Sequence, residues 1–297
     1  MEYRTDLAFE SAELLPKTKQ LPKEDVIRTR ETLEGFSVLT IDVLTARGAK
    51  ALKKPIGKYF SLDLKALMRR EEDSFPRAVH AVSALLSRLL DVPEDGLILV
   101  AGIGNRYVSP DALGPKAAEN IVVTRHLIDA VPEYFSVYRP VASVAPGVLG
   151  STGIESGEMI KGVVEKIRPA AIIAVDALAA GRLSRLVNTI QISNAGITPG
   201  SGIGNFRFAL NRETLGVPVI AVGVPTVVDG KNLAIAIEEE LEHPQKSEAL
   251  QDLHTPVIVT TNNIDRQISD VSRVIGYGIN QALNPSLTIE DMDLFLS

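Results

Sequence analysis

Short apolar runs that alternate with helix-patterned stretches constrain this chain more than any other feature. Ile98-Leu99-Val100-Ala101 and Ala171-Ile172-Ile173-Ala174-Val175 carry no polar residue on either face. A strand of that kind must be covered on both sides, as the strands of a parallel sheet are. Further strand patterns fall at 36–44, 141–144, 189–193, 217–222 and 257–260. Helical patterns fall at 73–90, 112–130, 155–167, 232–241 and 264–283, with Val79, Val82, Leu85, Leu86 and Leu89 marking the buried side of the first. The alternation predicts an α/β fold, a mostly parallel twisted sheet with helices on both faces.

With 297 residues the chain can bury one large core, with room for a small appendage. Residues 1–35 are charged and poorly periodic and read as an arm. Residues 46–63 hold Gly48, Lys53-Lys54-Pro55, Gly57 and Lys58, so 36–63 is expected as a small N-terminal β-rich and loop subdomain of a domain spanning 36–297. Aromatic residues are only 5% and Trp is absent, so Ala, Val, Ile and Leu must fill the core. There is no cysteine, which excludes disulfides, thiolate catalysis and thiolate metal sites and suits a cytoplasmic setting. A net charge of −6 argues against nucleic acid as a direct partner. The N-terminus has no apolar signal-peptide core, and no stretch reads as a membrane span.

Each apolar run leads to an aspartate. The first continues through Gly102-Ile103-Gly104-Asn105 to Ser109-Pro110-Asp111; the second ends directly in Asp176. Both carboxylates are then expected at the carboxyl edge of the sheet, where open α/β folds build their sites. Taken singly, each also reads as a helix cap. Taken together, two carboxylates at one edge can push their pKa values apart and supply one base and one acid. Asp229, after Val227-Val228, is a third candidate, although Asp229-Gly230 also reads as a turn. Asn105, Asn194 and Asn205 are candidates to hold substrate backbone or an oxyanion. Lys53, Lys54 and Lys58 read as a solvated loop or as a site for an acidic substrate.

Other chemistries lack their signatures. The Gly102 and Gly200 loops miss the third glycine of a dinucleotide fingerprint, with Tyr107 and Asn205 in its place, and no Walker A sequence occurs. The four histidines, His80, His126, His243 and His254, form no HExxH pair, and no GxSxG elbow is present. No metal or cofactor is expected.

Several longer words carry a resemblance. They are Arg4-Thr5-Asp6-Leu7-Ala8, Gly102-Ile103-Gly104-Asn105, Ser109-Pro110-Asp111-Ala112-Leu113-Gly114-Pro115, Thr124-Arg125-His126-Leu127 and Pro146-Gly147-Val148-Leu149-Gly150. They continue with Thr152-Gly153-Ile154-Glu155, Val175-Asp176-Ala177-Leu178-Ala179-Ala180, Thr189-Ile190-Gln191-Ile192-Ser193, Pro199-Gly200-Ser201-Gly202-Ile203-Gly204-Asn205 and the stretch from Ile220 to Asp229. In this order they resemble the germination proteases of spore-forming bacteria over nearly the whole chain.

The resemblance implies an endopeptidase that degrades small acid-soluble spore proteins in the spore core at germination. It assigns the two essential aspartates to Asp111 and Asp176. It further implies a homotetramer, made as an inactive zymogen that removes its own N-terminal segment, here residues 1–6 by cleavage of Asp6–Leu7. The family's fold is similar to that of hydrogenase-maturation endopeptidases, which read a metal in their client with the help of a histidine that has no clear counterpart here. A maturation-type peptidase acting on a metal-loaded client is therefore the alternative enzyme reading, and a binding module with capping aspartates the non-enzymatic one. Two departures from the family pattern are a shorter leader before Asp6 and a shorter segment at 242–254.

Overall fold

A computed structural model describes residues 4–15, 21–200, 208–240 and 257–297. Nine strands form one sheet: β1 (Val26–Leu33), β2 (Phe36–Val43), β3 (Gly57–Asp63), β4 (Ile98–Ile103), β5 (Val141–Gly147), β6 (Ala171–Ala180), β7 (Thr189–Ser193), β8 (Val219–Asp229) and β9 (Ile258–Val259). Their order is β1-β2-β3-β7-β8-β6-β4-β5, with β9 against the far end of β8.

The sheet is mixed. β5, β4, β6 and β8 pair in parallel, while β1, β2, β3, β7 and β9 join antiparallel. The parallel pairing expected from the sequence is thus confined to four strands, β4 and β6 with their Gly102 and Asp176 words and their neighbours β5 and β8. Residues 36–63, expected as a small subdomain, supply β2, the helix Ala46–Leu52 and β3 to the same sheet. The arm at 1–35 contains the helix Ala8–Glu13 and β1. β1 and β2 meet in a two-residue hairpin at Glu34 and Gly35, with φ of 51° and 79°. Both central residues at positive φ match the twist of an antiparallel pair.

Helices cover both faces. On one face Ser74–Ser87, Leu113–Glu119 and Ile264–Leu283 pack with Ile173, Val175, Ile220 and Val222. On the other, Ile160 and Val164 of Ser156–Ile167 lie over Leu99, Ala101, Ile172 and Ala174. The expected helix at 112–130 is broken into Leu113–Glu119 and Arg125–Ala130, and a C-terminal helix, Ile289–Leu296, was not legible at all. The break has a polar anchor: Thr124 Oγ1 donates to the Arg139 carbonyl and accepts the Val141 amide, tying the unwound link to β5. No helix among the described residues is long and apolar enough to cross a membrane.

Candidate active site

β6 is longer than its apolar run. β8 continues past Val222 to Asp229 and keeps a hydrogen-bonding partner for β6 as far as Ala180. Asp176 therefore lies inside a strand, not at its end, and has no helix to cap. It is 4% exposed, and its Oδ1 accepts the Ala177 amide at 2.8 Å. In register it stands opposite Gly223 of β8, and Gly223 stands opposite Gln191 of β7. Partners in register point to the same face, so Asp176, Gly223 and Gln191 form one row across three strands.

Asp111 reaches the same part of the fold by another route. β4 ends in Ile103, and Gly104 turns the chain with φ +123°. The loop closes in a short 3₁₀ turn, Ser109–Asp111, whose aspartate accepts the Asn105 amide at 2.8 Å. A β-carbon on Gly104 would stand 2.1 Å from the Asp111 carbonyl oxygen, so only glycine lets the two ends of this loop meet. Ser109 Oγ donates to Asp265, which pins the turn to the Ile264–Leu283 helix. Asp111 does not cap the helix that follows it; the capping position is Ala112 and makes no side-chain bond. Gly114, three residues on, packs so closely that its β-carbon would lie 2.4 Å from the Val175 carbonyl oxygen. The backbone before Asp176 and the turn that carries Asp111 thus meet at one junction.

The N-terminal segment lies on the Asp176 face. The Asp6 amide donates to the Ala179 carbonyl at 2.9 Å, and the Ala179 amide donates to Asp6 Oδ2 at 2.8 Å. Gln191 Nε2 donates to the Asp6 carbonyl at 3.1 Å, and its Oε1 accepts the Ala8 amide at 2.7 Å. Asn232 accepts the Arg4 amide and donates to the Arg4 carbonyl, at 3.1 and 2.7 Å. Lys54 Nζ donates to the Thr5 carbonyl at 2.9 Å. Burial pushes the Lys54 ammonium below its ordinary pKa, while the charges of Asp6 and Glu10 work the other way. Leu7 is fully buried. Residues 4–8 are held through their backbone, as a bound peptide would be.

The remaining candidates separate. Asp229 accepts the Lys231 amide at 2.9 Å and closes the turn into Gly230–Glu240, with Arg4 3.9 Å away. Asn105 shares the Asp111 loop and accepts the Tyr107 amide on Oδ1. Asn194 Oδ1 accepts the Lys58 amide at the start of β3. Asn205 lies outside the described residues. His80 and His126 are exposed on helices. Among the described residues no group of three His, Cys, Asp or Glu is placed to hold a metal ion.

Gln191 and Asn232 were not singled out from the sequence. A signal existed for Gln191: Thr189, Gln191 and Ser193 alternate with Ile190 and Ile192, so one face of β7 is polar although the strand is buried. A polar face in a buried strand needs partners beyond the sheet, and here they are Asp6 and Ala8.

A family model described as germination protease matches residues 4–246. The chain is similar to the germination protease of Clostridium perfringens (strain 13 / Type A), 40% identical with 99% of each chain covered. It is also similar to that of Caldanaerobacter subterraneus subsp. tengcongensis, 40% identical over 99% of this chain and 98% of the relative. With the germination protease of Bacillus subtilis (strain 168) the identity is 36%, over 97% and 95%. Among solved structures, the nickel–iron hydrogenase maturation protease HycI from Thermococcus kodakarensis KOD1 aligns with a TM-score of 0.33 and 17% identity, covering 64% of this chain and 98% of its own. The family model and the near-complete span of these relatives establish that the chain belongs to the germination protease family.

Proposed function

We propose that this peptidase cuts small acid-soluble spore proteins in the spore core at germination, with Asp111 and Asp176 as its catalytic carboxylates. Its family makes it a hydrolase of peptide bonds in spore germination. One observation supports the finer reading most: the Asp6–Leu7 peptide is held backbone-first on the face that carries Asp176, by Ala179 on one side and Gln191 on the other. One aspartate, ionised, takes a proton from water as that water attacks the carbonyl carbon. The other, protonated, donates to the leaving amine.

In the same reading residues 1–6 are a propeptide whose residues 4–6 occupy the peptide site until Asp6–Leu7 is cut, residues 7–35 are an arm, and 36–297 form the peptidase domain. The resemblance supports a homotetramer, and the net charge of −6 argues against nucleic acid as a direct partner.

The test is incubation of the purified full chain, and of the chain cut after Asp6, with a small acid-soluble spore protein, followed by mass spectrometry of the products. Asp111→Asn and Asp176→Asn run in parallel, with thermal unfolding to show that both are folded. A discrete cut by processed wild type, slowed by about 10²-fold or more in each variant, is expected. Folded variants that cleave at the wild-type rate remove those residues from the mechanism, and no cleavage by any form removes the substrate.

A further inference from the structure

We propose that Gln191 is itself a catalytic residue, donating from Nε2 to the carbonyl oxygen of the bond being cut; this rests on the function proposed above and adds an oxyanion donor to it. Both ends of its amide are engaged. The Ala8 amide needs an acceptor and the Asp6 carbonyl a donor, so the two partners fix which end is Oε1 and which is Nε2. The contacts straddle the Asp6–Leu7 bond, one on its carbonyl oxygen and one on the next amide along. The residue is only 8% exposed, on a strand paired on both sides, with Ser61 of β3 and Gly223 of β8 as register partners. Such a donor is preorganised: it does not have to turn toward charge that develops during the reaction.

The row geometry agrees. Asp176 and Gln191 are two strand spacings apart, about 10 Å between Cα atoms, with side-chain-free Gly223 between them. The Leu178 side chain lies over Gly223, and beside it Asp6 and Gln191 line one cavity. Asn105 and Asn194 use their Oδ1 atoms on the Tyr107 and Lys58 amides.

In the reaction the water oxygen bonds to the Asp6 carbonyl carbon. The carbon–oxygen π pair moves to the oxygen, which accepts the Gln191 Nε2 hydrogen more strongly as it becomes anionic. The water proton goes to the ionised aspartate. When the π bond reforms, the carbon–nitrogen bond breaks, its electron pair stays on the Leu7 nitrogen, and that nitrogen takes the proton of the other aspartate. One water is consumed, and a carboxyl group and an amine are formed.

Self-cleavage of the full chain tests this, because the Asp6–Leu7 bond lies in the same chain and its first-order rate contains no KM. The rate is followed by mass spectrometry for wild type, Gln191→Leu and Gln191→Glu from about pH 8 to about pH 4, and hydrogen exchange reports whether residues 4–10 stay docked. Gln191→Leu is expected to be slower by about 10²- to 10³-fold at every pH. Gln191→Glu should be as slow at high pH and regain rate relative to wild type as pH falls, since only the protonated carboxyl can donate. Variants as fast as wild type overturn the proposal and leave the proposed function standing. Slow variants whose segment has undocked, with no recovery in acid, reduce Gln191 to a structural clamp and also overturn it. Wild type that never cuts Asp6–Leu7 overturns both this inference and the self-processing on which it rests.

Discussion

A single methyl group at position 114 should separate catalysis from stability. Gly114 opens the helix that follows Asp111 and lies against the two central strands. Its β-carbon would stand 2.2 Å from the Ile103 carbonyl oxygen, 2.4 Å from the Ile103 nitrogen and 2.4 Å from the Val175 carbonyl oxygen. All three are backbone atoms of β4 and β6 and cannot swing aside. A carbon needs about 3.4 Å from a carbonyl oxygen, so in Gly114→Ala the Leu113–Glu119 helix must retreat by about 1 Å. Overpacking of this kind costs about 3 kcal/mol, of which alanine's better helix propensity returns up to about 1 kcal/mol. The net loss of about 2 kcal/mol lowers Tm by about 3 °C in a chain of this length. With Asp111 in its proposed role the effect on rate is far larger, because the retreat pulls on Asp111, and misplacing a catalytic group by about 1 Å costs about 10²-fold.

Calorimetry and the cleavage rate of a spore-protein substrate are measured together. Gly162→Ala in the Ser156–Ile167 helix, where an added methyl meets nothing within 4 Å, serves as the control and should keep activity while the helix-propensity gain of up to about 1 kcal/mol raises Tm by about 1–2 °C. Wild-type cleavage by Gly114→Ala at a wild-type Tm would refute the idea that this contact sets the position of Asp111. A lower Tm with undiminished rate would separate Asp111 from the chemistry.

Burial raises the pKa of Glu10, against the bonds from Thr5 and the Gly181 amide and the charge of Arg185. A carboxyl raised on docking binds its proton more tightly in the docked form. Docking is therefore strongest below its ordinary pKa and weakens as pH rises through the raised value. Hydrogen-exchange protection of residues 4–13 should fall with rising pH and become flat in Glu10→Gln; a pH-independent wild type would refute this. Elsewhere, buried Asn280 accepts the Val122 amide and donates to the Asn120 carbonyl, both at 2.9 Å. Asn280→Ala leaves both backbone groups without that partner and should cost about 2 kcal/mol, or about 3 °C in Tm, and an unchanged melting curve would count against it.

What could be read in the sequence followed burial. β4 and β6 announce themselves because both faces are apolar, and the one charged residue in the ten of β6 is Asp176. β1 was missed because it is an edge strand: six of its eight residues are exposed, so Val26-Ile27-Arg28-Thr29-Arg30-Glu31-Thr32-Leu33 shows no period of two. Charged residues on such an edge guard against pairing with other chains and at the same time hide the strand. The helix Ala8–Glu13 is too short to reveal itself by periodicity. It is held by its surroundings, through Gln191 on Ala8 and the Gly181 amide on Glu10. Strand ends were misjudged where a neighbour decides them, as β8 does for β6.

The same neighbour explains why the proposed site lies on a face of the sheet. In an open parallel sheet the chemistry gathers beyond the carboxyl ends of the strands, because there the ladder stops and loops take over. Here β8 pairs parallel with β6 but antiparallel with β7, so the sheet continues past the point where β4 leaves it. Asp176 is one residue beyond the last β4–β6 pair, at Gly102 and Val175, and still within the β6–β8 ladder. At that step the β4–β6 ladder has ended and β4 has turned into the Asp111 loop, while on the β8 side the row leads through Gly223 to Gln191. In the proposed reading, a peptide here has the Asp111 loop on one flank and the rigid β8 and β7 strands on the other. Adding a side chain at Gly223 should disturb this arrangement through Leu178, whose Cγ lies 2.6 Å from the added carbon. The mixed topology thereby sets one aspartate in a strand and brings the other in on a loop, which the alternating strand and helix pattern alone does not foretell.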